Sequence, residues 1–133
     1  MDNNFKNTFD YKVIYVFTIN DENHKNLVKI GDTTIKTETT IDMLSPNCKE
    51  LNQAALARIK SYTNTAGLTP KLLHTELALR NIKKSNGTVS VKAFRDHDVH
   101  EILKNSGFNN ITLGNTTGKE WFQIDVEIAK KAI

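Results

Sequence analysis

A single cysteine, Cys48, in a chain of 133 residues excludes an intramolecular disulfide and, with no second thiol, a thiolate zinc site. Cys48 is read as a small, buried or half-buried hydrophobe. Long apolar runs are also missing. The longest, Val13-Ile14-Tyr15-Val16-Phe17, falls far short of the ~20 residues of a membrane span. The N-terminus, Met1-Asp2-Asn3-Asn4-Phe5-Lys6, lacks the apolar stretch of a secretory signal, so a cytoplasmic location is expected. There is no phosphate-binding glycine loop ending in Lys-Ser/Thr, no nucleophile elbow and no His-Glu-x-x-His helix, which removes most familiar enzyme classes. No internal repeat or low-complexity tract appears.

The length fits one domain with a sizeable core. Apolar residues make up 38%, net charge is +3 and the sequence pI is near 9.0. That balance is compatible with a polyanionic partner. The basic residues read as scattered, with Lys83-Lys84 and Lys130-Lys131 the only doublets.

Tyr11 to Ile19 is β-branched and aromatic, Asn20-Asp21-Glu22-Asn23 is a polar turn, and Leu27 to Gly31 resumes the apolar pattern. This predicts a β-hairpin ending at Gly31-Asp32-Thr33-Thr34. Residues 35–49 have no period and read as an extended insertion. Leu51, Ala54, Ala55, Ile59 and Tyr62 recur at helical spacing, with Arg58 within the stripe. Leu72 to Leu79 after Pro70 reads as a strand, Ser85 to Thr88 as a turn, and Asp96 to Asn105 as a helix closed by Ser106-Gly107. Two short strands, Ile111–Leu113 and Trp121–Ile124, and a helix over Val126–Ala132 complete the chain. The order predicts an α/β (α+β) fold with a small mixed, mainly antiparallel sheet flanked by helices. The apolar end at Ile133 hints at an N-terminal part of a larger protein.

Polar residues gather at element ends: Tyr15, Lys29, Asp32, Arg58, His74, Glu76, the run Arg95-Asp96-His97-Asp98 with His100, and Glu120 beside Trp121. Asp96 and His100 stand one helical turn apart and share a face, where a carboxylate and an imidazole could hold a divalent ion or activate water. Arg58 interrupts an apolar stripe, so it must meet an anion or reach solvent.

With these residues placed, the chain resembles the GIY-YIG nuclease superfamily, and more closely its phage-type branch, found at the N-terminus of restriction-type helicase proteins. Val13-Ile14-Tyr15 stands for the first motif and Lys29-Ile30-Gly31 for the second. Arg58 stands for the helix arginine, Asp96 and His100 for the acidic-histidine pair, and Glu120-Trp121-Phe122 for the closing motif. The first motif lacks its glycine and the second its tyrosine. The resemblance implies a DNA endonuclease hydrolysing phosphodiester bonds, with Mg²⁺ or Mn²⁺ held by Asp96 and Glu120. In that reading Arg58 meets the phosphate charge, Tyr15 with Lys29 positions or deprotonates water, and His74 or His100 is an alternative base, with Glu120 counted among the catalytic residues. DNA and a fused helicase or ATPase are the implied partners. The alternative is an inactive nucleic-acid-binding or protein-docking module.

Overall fold

The computed structural model describes residues 9–63, 69–83, 85–108, 110–111 and 121–133. In chain order the elements are β1 (Phe9–Ile19), β2 (Val28–Thr37), α1 (Lys49–Thr63), β3 (Pro70–Leu77), β4 (Leu79–Lys83), β5 (Val89–Ala93), α2 (Asp96–Asn105), β6 (Asn110–Ile111), β7 (Trp121–Phe122) and α3 (Val126–Ala132).

Side chains alternate across a strand, and β1 is apolar at both parities. Val13, Tyr15, Phe17 and Ile19 point to one side, Ile14 and Val16 to the other, and all six are buried. A strand apolar on both faces needs a cover on each. α1 supplies one with Leu51, Ala55 and Ile59. α2 and α3 supply the other with Val99, Leu103 and Ala129. The result is a mixed α+β domain. Its main sheet has five strands in the order β3-β1-β2-β7-β6, and β4 and β5 form a separate pair. Every pairing is antiparallel. Among the described residues no helix is long and apolar enough to cross a membrane.

Most predicted elements stand, three differ, and β5 is a strand that the sequence pattern does not predict. β2 does not stop at Gly31 but runs to Thr37, opposite Phe9, because Thr33, Thr34 and Ile35 are β-branched and extend the ladder. The strand predicted over Leu72–Leu79 breaks at Ala78, whose N–H bonds the Lys12 carbonyl at 2.8 Å, and β4 then leaves the main sheet to pair with β5. β7 covers only Trp121 and Phe122 of the predicted Trp121–Ile124. The predicted strand Ile111–Leu113 and turn at Gly114–Gly118 fall partly or wholly outside the described residues. At Gly107 the expected glycine cap is present: φ is +95°, and the Phe108 N–H reaches back to the Leu103 carbonyl at 2.9 Å.

The segment read as an insertion has a defined job at its end. Thr37 and Thr39 hydroxyls each donate to the Glu50 carboxylate at 2.8 Å, tying the segment to the first turn of α1. Asn47 then docks on the edge strand β3. Its N–H donates to the Thr75 carbonyl at 2.9 Å and its Oδ1 accepts the Thr75 N–H at 3.0 Å. With Oδ1 so engaged, the amide nitrogen faces His74 Nδ1 at 3.2 Å. Asn47 therefore fills strand-edge hydrogen bonds that would otherwise invite another chain, and it does so at φ +63°, a conformation asparagine tolerates. Asn47→Ala is expected to cost about 2 kcal/mol in urea unfolding, since the buried Thr75 N–H loses its acceptor. Asn47→Gly, free of backbone strain, should cost less.

Candidate functional site

Asp32 sits on β2 one residue past Gly31, on the face covered by α2. Its side chain is only 6% exposed, and a buried carboxylate requires partners. Its hydrogen-bond partners come from the start of α2, and the Lys12 charge on β1 adds to them. Asp32 Oδ2 accepts the Asp96 N–H at 2.8 Å and Arg95 Nε at 2.8 Å, and Oδ1 lies 3.4 Å from Arg95 Nη2. Asp98 accepts the Arg95 N–H at 2.9 Å. The helix N-terminus is thus capped from a strand 64 positions away in sequence, because its exposed N–H groups and dipole favour an anion there.

This arrangement sets two carboxyls together. Burial pushes the Asp32 carboxyl up, but the hydrogen bonds from the Arg95 guanidinium and the Asp96 N–H outweigh it and hold Asp32 below the usual carboxylate range. Asp96 moves the opposite way. Burial raises it first, the Asp32 charge raises it further, His100 opposes, and a hydrogen bond to Asp32 raises it again. The pair therefore favours the charge on Asp32 and the proton on Asp96.

The signs give a pH prediction. Asp32 contributes stability that is present above its unfolded value and lost as pH falls through its lowered folded value. Asp96, raised in the fold, costs stability above its folded value and releases that cost as pH falls through it. Asp96→Asn is therefore expected to raise the melting temperature at pH 7 slightly, by less than about 1 kcal/mol in free energy given its partial exposure. The gain should shrink on acidification through the raised Asp96 range. A thermal melt series from pH 4 to 8 reads both effects.

His100 follows Asp96 by one turn and is buried rather than facing solvent. Its Nε2 donates to the Ile30 carbonyl at 2.8 Å, so in the neutral ring the proton sits on Nε2. The ring packs on Phe122 at 5.4 Å. This contact fastens α2 to β2 where β7 has already ended.

The other predicted residues lie elsewhere. Tyr15 is paired in register with Gly31 and packs with Phe17, Ala55, Ile59 and Trp121 on the α1 face. Lys29, between Val28 and Ile30, belongs to that same face. Arg58 is exposed on α1 rather than within its apolar stripe, which is Leu51, Ala55 and Ile59. The sheet therefore separates Tyr15, Lys29 and Arg58 from Asp96 and His100. His74 is buried at the β3 edge with Nε2 donating to Glu76 at 2.7 Å. Glu120 lies outside the described residues. In the sequence Asp32 stands among the polar residues gathered at element ends, with nothing to link it to Asp96. Its partnership with Asp96 spans two elements, and only the charge beside an otherwise apolar ladder could have drawn attention to it.

The fold and this site define a small α+β domain that brings two carboxyls together at the start of a helix. The family model of the T5orf172 domain matches residues 12–133, and the chain belongs to that family. The assignment to the GIY-YIG superfamily is corrected accordingly. The motifs that carried it are short and have structural explanations here: tyrosine and glycine face each other because the tyrosine ring covers the glycine. No curated protein and no solved structure matches the chain.

Proposed function

We propose that this domain is a metal-dependent nuclease acting on DNA, with its centre at Asp32 and Asp96. The observation that supports it is the carboxyl pair itself. Asp32 caps α2 and Asp96 stands in its first turn beside it, where burial and the Asp32 charge raise the Asp96 carboxyl, so holding the two acids together costs stability. A cation or a phosphoryl centre gives such a pair its use.

Among the described residues no group of three or more His, Cys, Asp and Glu side chains could hold a metal ion. Mg²⁺ and Mn²⁺ take oxygen ligands, and Mg²⁺ is commonly bound by one or two carboxylates, completing its shell with water and phosphate oxygens. Asp96, with Asp32 beside it, would hold Mg²⁺ or Mn²⁺, and the ion would supply polarisation of a phosphoryl oxygen. Arg95, half-exposed at 54%, stands at the rim where its guanidinium can meet both Asp32 and a phosphate. His100 keeps the helix seated. This reading asks for no fused motor; a helicase partner would add translocation, not chemistry.

The test is cleavage of labelled duplex DNA with Mn²⁺. Asp96→Asn should lower the rate at least about a hundredfold, the loss expected for a metal-binding carboxylate. Arg58→Ala should leave it within about threefold, since losses that small mark a residue outside the chemistry. Cleavage that survives excess EDTA would exclude the ion. Loss in Arg58→Ala with retention in Asp96→Asn would move the chemistry to the α1 face.

A further inference from the structure

The segment Leu79 to Ala93 contains Arg80, Lys83, Lys84 and Lys92 and no acidic residue. Taking these four from the 18 basic residues leaves 14 against all 15 acidic ones, so the rest of the chain carries −1 and the hairpin carries the whole positive excess. The other 14 basic residues are balanced by acids, and the segment with no acid to offset its charge is one two-stranded element that stands apart from the main sheet.

The register gives the hairpin two unlike sides. Leu79 faces Ala93 on one side, which Val91 shares. Leu79 and the half-exposed Val91 there line an open cavity of about 270 Å³ with Ile41, Leu44, Pro46, Glu76 and Leu77. Arg80 faces Lys92 on the other side, and both are exposed. Like charges directly opposite each other across a ladder are destabilising. Among the described residues no carboxylate forms an ion pair with Arg80, Lys83 or Lys92. A polyanion would turn that repulsion into attraction.

Resting on the nuclease reading, we propose that the β4–β5 hairpin is the DNA-docking arm, a two-stranded ribbon laid in the major groove with Arg80 and Lys92 on phosphates. Strands about 4.8 Å apart fit a B-form major groove of about 12 Å, whereas the deep, narrow major groove of duplex RNA does not admit them. Placement supports this assignment. Ala93 at the foot of β5 precedes Arg95 and Asp96 by only two and three residues, and the Phe94 N–H is held by the Ala78 carbonyl at 3.0 Å. DNA gripped by the ribbon therefore lies beside the carboxyl pair.

The test is anisotropy of labelled duplex DNA with the full chain, in EDTA, over a salt series. R80Q/K92Q should bind at least about tenfold more weakly, with the slope of log K against log salt reduced by about 1.8, the value for two lost phosphate contacts. R80K/K92R should keep the wild-type slope. The melting temperature of R80Q/K92Q should equal or exceed that of the wild type, because the like-charge pair is gone; a clear fall would overturn the repulsion argument. Wild-type affinity and slope in R80Q/K92Q would overturn the proposal, as would binding of duplex RNA in preference to DNA. The outcomes separate the two readings. If R80Q/K92Q binds normally while Asp96→Asn loses cleavage, the arm falls and the nuclease stands. If R80Q/K92Q loses binding while the wild type never cleaves, the arm stands and the nuclease falls.

Discussion

Gly31→Ala is expected to destabilise the domain by about 3 kcal/mol, at the upper end for overpacking a core. Alanine in a strand is ordinarily preferred to glycine by roughly 0.5–1 kcal/mol, and Gly31 is not among the residues with positive φ, so conformation does not demand glycine. Space does. A Cβ at Gly31 would lie 2.5 Å from the Tyr15 hydroxyl oxygen, 2.6 Å from Cζ and 2.7 Å from Cε1. The obstacle is a ring, not a flexible tip, and it is only 2% exposed, held by Phe17 at 5.9 Å and by Ala55 and Ile59 of α1. To admit one methyl group the ring must leave its place and disturb the α1 face. Urea unfolding reads the loss. Tyr15→Ala alone should cost about 3–5 kcal/mol as a large-to-small change, but Gly31→Ala added in that background should cost less than about 1 kcal/mol, because coupled neighbours are not additive. Equal costs in both backgrounds would refute the steric account.

Asp32→Ala is expected to cost about 2 kcal/mol at pH 7, because the Asp96 N–H at the start of α2 loses the acceptor that caps the helix. Asp32→Asn keeps an acceptor oxygen and should cost less, while removing the charge that raises Asp96. The pH profile distinguishes the contacts from mere packing. In the wild type, Asp32's share persists above its unfolded value and is lost as pH falls through its lowered folded value, so the gap between wild type and Asp32→Ala should narrow only in strong acid. A gap constant down to pH 2 would show that ionisation plays no part.

The parts of this fold legible in the sequence are those written in one element at a time. The two-sided apolar run of β1 announces a covered strand, the spacing Leu51-Ala55-Ile59 announces α1, and Gly107 announces the end of α2. What escaped required two elements to be seen together. Arg80-Asn81-Ile82-Lys83 has too little apolar alternation to declare a strand, and only the break at Ala78 and the pairing with β5 make it one. Thr33-Thr34-Ile35 carried a β-branched signal that the preceding glycine overrode in the reading. For the site, the spacing of Asp96 to His100 is visible in the sequence, whereas Asp32, which shapes the ionisation of Asp96, is one polar residue among many until β2 and α2 are seen together. The residues grouped with Asp96 by motif, Tyr15, Lys29 and Arg58, fall on the other side of the sheet, because strand alternation places neighbours such as Gly31 and Asp32 on opposite faces.

Trp121 is fully buried, 5.7 Å from Phe17 and 4.7 Å from His24 by ring centroids, and is the sole tryptophan of the chain. Intrinsic fluorescence of this protein is therefore a single-site optical gauge. It reports whether β7 is zipped onto β2 at Lys29, and a red shift preceding the loss of helical signal would mean that the sheet opens from that end first.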